Sequence, residues 1–337
     1  MPSQPLLTPT FVGRSDPARR RLLALAAAAC LPGAVRAEPL AVLRLLLGAP
    51  AGGPGDLMAR QLAERLRGEH ARAVVVDNRS GAGGQLAVAA LKDAPTDGSV
   101  LLLVPSSVVS IYPFTYARLP YRVETDLQPV ALVAHSPLAF GVGPAVPASV
   151  KSFADFLAWA QAHPQQASYG SPASGSIAHL QAAAVAQASG APLVHVPYRG
   201  GAQAVGDLRG GSLPSLSAPL GIFLPHMASG QIRLLAVSGE ARSALAPTVP
   251  TWRELGFRLT AREWYGFFAP GRTPREVVAR SAAALLKSLD SPEAGALLAR
   301  FGLELTPAGP ERLAALIQAD AAEWRGLIQR IGFTAES

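Results

Sequence analysis

From residue 38 onward, short apolar runs alternate with longer runs in which apolar positions recur every three or four residues. The short runs, rich in leucine and valine, predict strands at 41–47, 73–76, 100–104, 130–134, 138–142, 193–196, 232–237 and 265–269. The longer runs predict helices at 56–67, 83–92, 153–162, 177–189, 202–209, 275–289 and 311–331. In the first of these, Met58, Leu62 and Leu66 share one face while Arg60, Glu64 and Arg67 point elsewhere. This alternation is the signature of an α/β fold with largely parallel strands. The last helix, with Trp324, Leu327, Ile328 and Ile331, reads as packing.

Three glycine-rich turns interrupt the pattern where an apolar run meets a helical one: 48–56, 78–84 and 169–176. A turn without bulky side chains leaves helix-start N–H groups open, and the positive end of the helix dipole favours an anion there. The turns therefore point to recognition of a small anion. Two further places, 137–144 and 263–270, set an apolar strand beside prolines. If both strands cross between two lobes, residues 38–137 and 263–337 form one lobe and 138–262 the other. The ligand then sits between the lobes, and closure hinges at the crossings.

Composition first misleads and then helps. The net charge of +7 suggests a nucleic-acid partner, but Arg14, Arg19, Arg20, Arg21 and Arg36 all precede Glu38. The same stretch has a basic start, an apolar run over 22–31 and a small-residue site at Val35-Arg36-Ala37, the three parts of an export signal cleaved after Ala37. Its apolar run is about half the length that spans a bilayer. Removing residues 1–37 takes away five arginines and Asp16, so the charge falls to +3 and the argument for nucleic acid goes with it. Arg19-Arg20-Arg21-Leu22-Leu23 also resembles a twin-arginine signal. Cys30, the only cysteine, reads as part of the signal rather than a lipidated residue, so the exported chain has no disulfide.

Catalytic signatures fail one by one. No glycine is followed by lysine, which excludes a P-loop, and Leu86 stands where a third glycine would complete a dinucleotide fingerprint from Gly81 and Gly83. Neither Ser171 nor Ser174 has the glycine spacing of a nucleophile elbow. The six histidines, His70, His135, His163, His179, His195 and His226, are never three or four residues apart, so no metal is expected. His163 reads as a helix end and His195 as a strand residue. No cofactor is implied.

Gly52-Gly53-Pro54-Gly55-Asp56-Leu57-Met58-Ala59-Arg60, the 74–84 run ending in Asn78-Arg79-Ser80-Gly81-Ala82-Gly83-Gly84, and Ala94-Pro95-Thr96-Asp97-Gly98 form an ordered set of motifs. It continues through Leu119-Pro120-Tyr121, Val194-His195-Val196-Pro197-Tyr198-Arg199-Gly200, Leu224-Pro225-His226, Val249-Pro250-Thr251 and Trp264-Tyr265-Gly266. In this order and spacing the set resembles the Bug-type substrate-binding proteins, extracytoplasmic receptors of tripartite tricarboxylate transporters, over nearly the whole exported chain. The resemblance implies a two-lobed periplasmic binding protein fold, type II-like, with two crossing strands and a ligand cleft between the lobes. It implies a small organic carboxylate as ligand and a two-part membrane permease as partner; docking to a sensor kinase is an alternative output. An exported enzyme acting through Ser106, Ser174 or a histidine is a third reading from another class.

Carried onto this chain, the cleft falls at Pro50, Ala51, Gly52, Gly53 and Gly55, at Gly81, Ala82, Gly83 and Gly84, at Ser106 and Ser107, and at Ser171, Ser174, Gly175 and Ser176, with His179, Tyr198 and Trp264 as walls. Each has a structural alternative. Asp56 favours its helix start more than an anionic ligand, Arg79 can pair with Asp77, and the glycines can serve backbone geometry alone. Trp264 suits interlobe packing equally, and His179 suits a structural role. Ala49 stands where many members carry an aromatic residue, which widens that side. Ala218-Pro219 stands where many have Asp-Asn, so a carboxylate without an amine is expected. A helix start contributes on the order of 0.3–1 kcal/mol, whereas micromolar affinity needs about 8 kcal/mol. Burial by lobe closure must supply the rest.

Overall fold

The computed structural model describes residues 38–333. The expected export segment at 1–37, with its arginines and Cys30, lies outside the described residues. Among the described residues no helix is long and apolar enough to cross a membrane.

In chain order the outer segment opens with β1 (Leu40–Leu47), α1 (Pro54–Leu66), β2 (Ala71–Asn78), α2 (Gln85–Lys92) and β3 (Val100–Pro105). A widened turn at Ser107–Ile111 and a short helix Tyr112–Thr115 lead to β4 (Leu127–Val142). The inner segment follows as α3 (Phe153–Ala162), β5 (Ser168–Ser171), α4 (Ile177–Ser189), β6 (Val194–Pro197), α5 (Gly201–Gly210), β7 (Ser215–Pro219), α6 (Leu220–Met227) and β8 (Arg233–Val237). The chain returns through β9 (Arg262–Pro270), α7 (Arg275–Leu289), α8 (Pro292–Ala299), β10 (Glu304–Ala308) and α9 (Pro310–Ile331).

The strands run β2-β1-β3-β9-β4-β7-β5-β6, with β8 and β10 also on β4. Each flank is parallel, β2-β1-β3 at one end and β7-β5-β6 at the other, as crossover helices require. The centre is antiparallel, because β9 pairs with both β3 and β4. The expectation of largely parallel strands therefore holds at the flanks and not in the middle. The two strands read at 130–134 and 138–142 are one: β4 pairs with β9 up to Pro137↔Arg262, then with β7 and β8 from Leu138 or Ala139 onward. Proline lacks the N–H for a continuing ladder, and the change of partner falls where that donor is missing.

Local chemistry explains the helices that position the site. α1 starts with Pro54 at its first turn and buries Met58, Leu62 and Leu66, the predicted stripe. α4 is capped by Ser176, whose hydroxyl accepts from the His179 N–H, and ends on left-handed Gly190. One core packs Met58, Leu62, Leu101 and Phe267 on one face of the outer sheet. A second packs Val88, Leu102, Trp264, Phe268 and Leu313 on the other. The inner segment has its own cores around Phe140, Phe153, Phe156 and Trp252 and around Leu208, Leu216 and Phe223.

Candidate functional site

The first turn is built from within by one carboxylate. Asp56 Oδ2 accepts from the Gly52 N–H at 2.9 Å and from Arg60 Nε at 3.0 Å, while Oδ1 accepts from Asn78 Nδ2 at 2.9 Å. Burial pushes this carboxyl up, but the bonds from Arg60, the Gly52 N–H and Asn78 outweigh it and hold the pKa below its ordinary value. Asp56 is thus a stitch between turn and helix. Gly53 caps α1 without any side-chain cap, and Ala51 and Gly52 are exposed. Gly55 is buried, with the Tyr265 ring 3.0 Å from where a Cβ would stand. Pro50 meets the inner segment, since a Cβ on Gly200 would lie 2.7 Å from Pro50 Cγ.

The second turn is a run of positive φ angles: Gly81 at 137°, Ala82 at 46°, Gly83 at 66° and Gly84 at 103°. Only Ala82 carries a side chain through this region, which disfavours all but glycine. Gly84 then caps α2, again without a side-chain bond. Turns one and two touch, because a Cβ on Gly48 would stand 2.9 Å from Gly84 Cα. Two glycine turns that meet at Gly48 and Gly84 thus each lead into a helix whose first residue has no side-chain cap.

The third turn differs. Gly175 N–H donates to His179 Nδ1 at 3.0 Å, Ile177 N–H to Ser107 Oγ at 3.0 Å, and His179 N–H to Ser176 Oγ at 3.3 Å. Its donors are taken by the protein's own side chains. Ser171 Oγ lies 2.8 Å from His195 Nε2, the spacing of a nucleophile and its base, but the serine is fully buried and its hydroxyl donates to Ala173 O at 3.0 Å. His195 stacks on His179 with ring centres 3.4 Å apart. Burial brings His179 down to about 3, with His195 adding to the effect, and brings His195 to about 4, so both rings are neutral. The geometry is that of a packed core.

Two tyrosines that sequence reasoning missed join the turns. Tyr112 donates to Gly83 O at 3.2 Å, Tyr116 donates to Ser174 O at 3.0 Å, and their rings meet edge-on at 4.9 Å. The four-residue spacing of these tyrosines, which puts both on one helical face, was the available signal. Ser106 and Ser107 lie below. Ser106 Oγ accepts from the Trp264 N–H at 3.5 Å, and Ser107 Oγ donates to Glu263 Oε1 at 3.2 Å. Burial raises Glu263 to about 7 against the opposing bond from Ser107.

Two expected walls, Trp264 and Tyr198, and the neighbouring Arg79 are engaged elsewhere. Trp264 is buried in the second core and donates through Nε1 to Asp320 Oδ2 at 2.5 Å, so its ring serves packing. Tyr198 is half-buried and donates to Asp207 Oδ2 at 2.9 Å; burial and then Asp207 push its hydroxyl up to about 12. Arg79 pairs with Asp77 at 3.1 Å. A cavity of about 300 Å³ opens elsewhere, lined by Arg253, Arg258, Arg330, Glu240, Glu323 and Trp324 among others. None of the expected ligand residues lines it, and its two glutamates offset two of its three arginines. Among the described residues no three His, Cys, Asp or Glu converge as metal ligands.

Comparison with known proteins bears on this arrangement. The family described as tripartite tricarboxylate transporter family receptor matches residues 58–333. A protein encoded in the tcbD-tcbE intergenic region of Pseudomonas sp. strain P51 is 32% identical, over 92% of this chain and 94% of its own. An R. palustris protein solved with adipate superposes with a TM-score of 0.82 at 28% identity, covering 87% of this chain and 97% of its own. The periplasmic binding protein BugD superposes with a TM-score of 0.79 at 27% identity, covering 89% and 100%.

Proposed function

The chain belongs to the tripartite tricarboxylate transporter receptor family, the Bug-type periplasmic solute-binding proteins, and we propose that it captures a small organic carboxylate between two lobes and hands it to a two-part membrane permease. Members of this family are receptors, not enzymes. The observation that carries the ligand class is the pair of touching glycine turns that lead into helices at Gly53 and Gly84, both without side-chain caps, with a third turn tied to the second through Tyr112 and Tyr116. Open backbone donors at helix starts favour an anion over an amine or a sugar. The adipate held by a relative of 28% identity supports the same class.

In this reading Pro50–Gly55 and Gly81–Gly84 receive a ligand carboxylate, and Ser106, Ser107 and the 171–176 turn close over it. The lobes are 38–137 with 263–337, and 138–262. The partner exchange of β4 at Pro137, opposite the start of β9 at Arg262, supports that division. Ala218 and Pro219 are buried at the end of β7 and supply no carboxylate for an ammonium, which favours an acid without an amine. Thermal-shift screening of the exported chain, residues 38–337, tests this. Adipate or a similar acid should raise the melting temperature. Shifts by amines or sugars, with none by any carboxylate, would refute the ligand class.

A further inference from the structure

Glu263 is a buried glutamate at the junction of the two segments. It is 6% exposed, the second residue of β9, directly opposite Ser136 of β4. The Ser136 hydroxyl is buried with no partner. Ser107 links Glu263 to the inner segment: the Ile177 N–H at the start of α4 donates to Ser107 Oγ, which donates to Glu263 Oε1. By strand alternation Glu263 shares a face with Tyr265, whose ring packs under Gly55. The carboxyl is thus one hydrogen bond from the serine that holds the start of α4, and its strand neighbour Tyr265 packs under the start of α1.

Among the described residues no cation facing it compensates a charge there. From its own strand come Tyr265, kept neutral by burial and by Glu263, and the exposed Arg262 on the alternate face. The segment after β3 contributes Ser107 and Tyr112, the latter neutral in its buried site. From β4 come Ser136 and His135, whose ring burial and then Arg262 bring to about 4, hence uncharged. α4 contributes the Ile177 N–H and neutral His179. Asp320 of α9 reaches Trp264, on the opposite face of β9. Two carboxylates in one such site cannot both be ionised without a large penalty.

We propose that ligand capture is coupled to uptake of one proton: Glu263 takes it from solvent and holds it while the bound acid keeps its charge. This rests on the carboxylate-receptor reading above. The neutral Glu263 can then donate to a ligand oxygen or to Ser136, and the anionic form resists closure over a second anion.

Calorimetry of the exported chain with adipate, in two buffers of unlike ionisation heat, measures the protons taken up. The wild type should take up close to one proton at about pH 8 and bind on the order of tenfold more weakly at about pH 8 than at about pH 6. Glu263→Gln should abolish both the uptake and the pH dependence while still accepting the Ser107 bond. Adipate binding without proton uptake in the wild type overturns the coupling and leaves the receptor reading intact. No binding of adipate or of any other carboxylate at either pH overturns both. Uptake that persists in Glu263→Gln assigns the proton elsewhere and overturns the role of Glu263.

Discussion

At the residue scale, Glu263 makes the protein's stability depend on pH even without ligand. Its folded pKa of about 7 lies above the ordinary 4.5, so its contribution is fully present below about pH 4.5 and is lost as pH rises through 7. The shift corresponds to up to about 3 kcal/mol. Glu263→Gln, which carries no charge to bury, should therefore exceed the wild type in stability at about pH 8 and lose that advantage at about pH 4. Urea unfolding at the two pH values measures the difference, and equal midpoints at pH 8 would contradict it. Asp320, raised to about 6 by burial against the opposing Trp264 bond, adds a slope of the same sign that this variant leaves in place. A second residue-level test concerns the backbone of turn two. Gly83 has φ of 66° and its missing Cβ would collide with the Tyr112 hydroxyl. Gly83→Ala should cost about 1–3 kcal/mol, combining left-handed strain with overpacking. Adding Tyr112→Phe should restore part of it by removing the oxygen, and thermal unfolding of both variants checks the order.

At the scale of elements, what sequence made legible follows from where apolar periodicity coincides with burial. Helices α3, α4 and α7 fall at the predicted residues, 153–162, 177–189 and 275–289, because caps and stripes agree. In α3 the agreement is testable. The Ser152 hydroxyl accepts from the Asp155 N–H at 3.1 Å, and the Asp155 carboxylate accepts from the Ser152 N–H at 2.9 Å. Ser152→Ala should lower stability by about 1 kcal/mol, read as a shift in denaturant midpoint at unchanged slope. Three strands left little trace: β5, β7 and β10 read Ser-Tyr-Gly-Ser, Ser-Leu-Ser-Ala-Pro and Glu-Leu-Thr-Pro-Ala. They carry almost no β-branched residues and owe their conformation to neighbours. The candidate site shows the same divide. The glycine turns were visible because their chemistry is local. The Asp56 bond to Gly52 and the Asp77–Arg79 pair join residues close in sequence, whereas Asn78 reaches Asp56 across 22 positions. The Ser107–Glu263 bond spans 156 positions and the Tyr116–Ser174 bond 58, so no window along the chain contains both partners.

Over the whole molecule, the energy argument requires closure. Two helix starts supply on the order of 2 kcal/mol together, against about 8 kcal/mol for micromolar binding, so the balance must come from excluding water between the segments. The segments already meet at two glycines near turn one. Gly200 lies against Pro50, and a Cβ on Gly221 of α6 would collide with the Phe301 carbonyl and stand 3.3 Å from Pro54 Cγ. Gly221 needs no unusual backbone angle, so the clash with the returning outer segment is the whole penalty of a side chain there. Gly221→Ala should act as a wedge: Gly221 itself sits outside both apolar clusters of the outer sheet, and it presses on the Phe301 backbone at the margin of the first. The variant should scatter X-rays as a larger particle than the wild type with adipate present and bind adipate at least tenfold more weakly. Far-ultraviolet circular dichroism should be unchanged. A variant as compact and as tight-binding as the wild type would show that the contact at Gly221 is absent from the ligand-bound state, and that affinity is gained without closing this edge of the cleft.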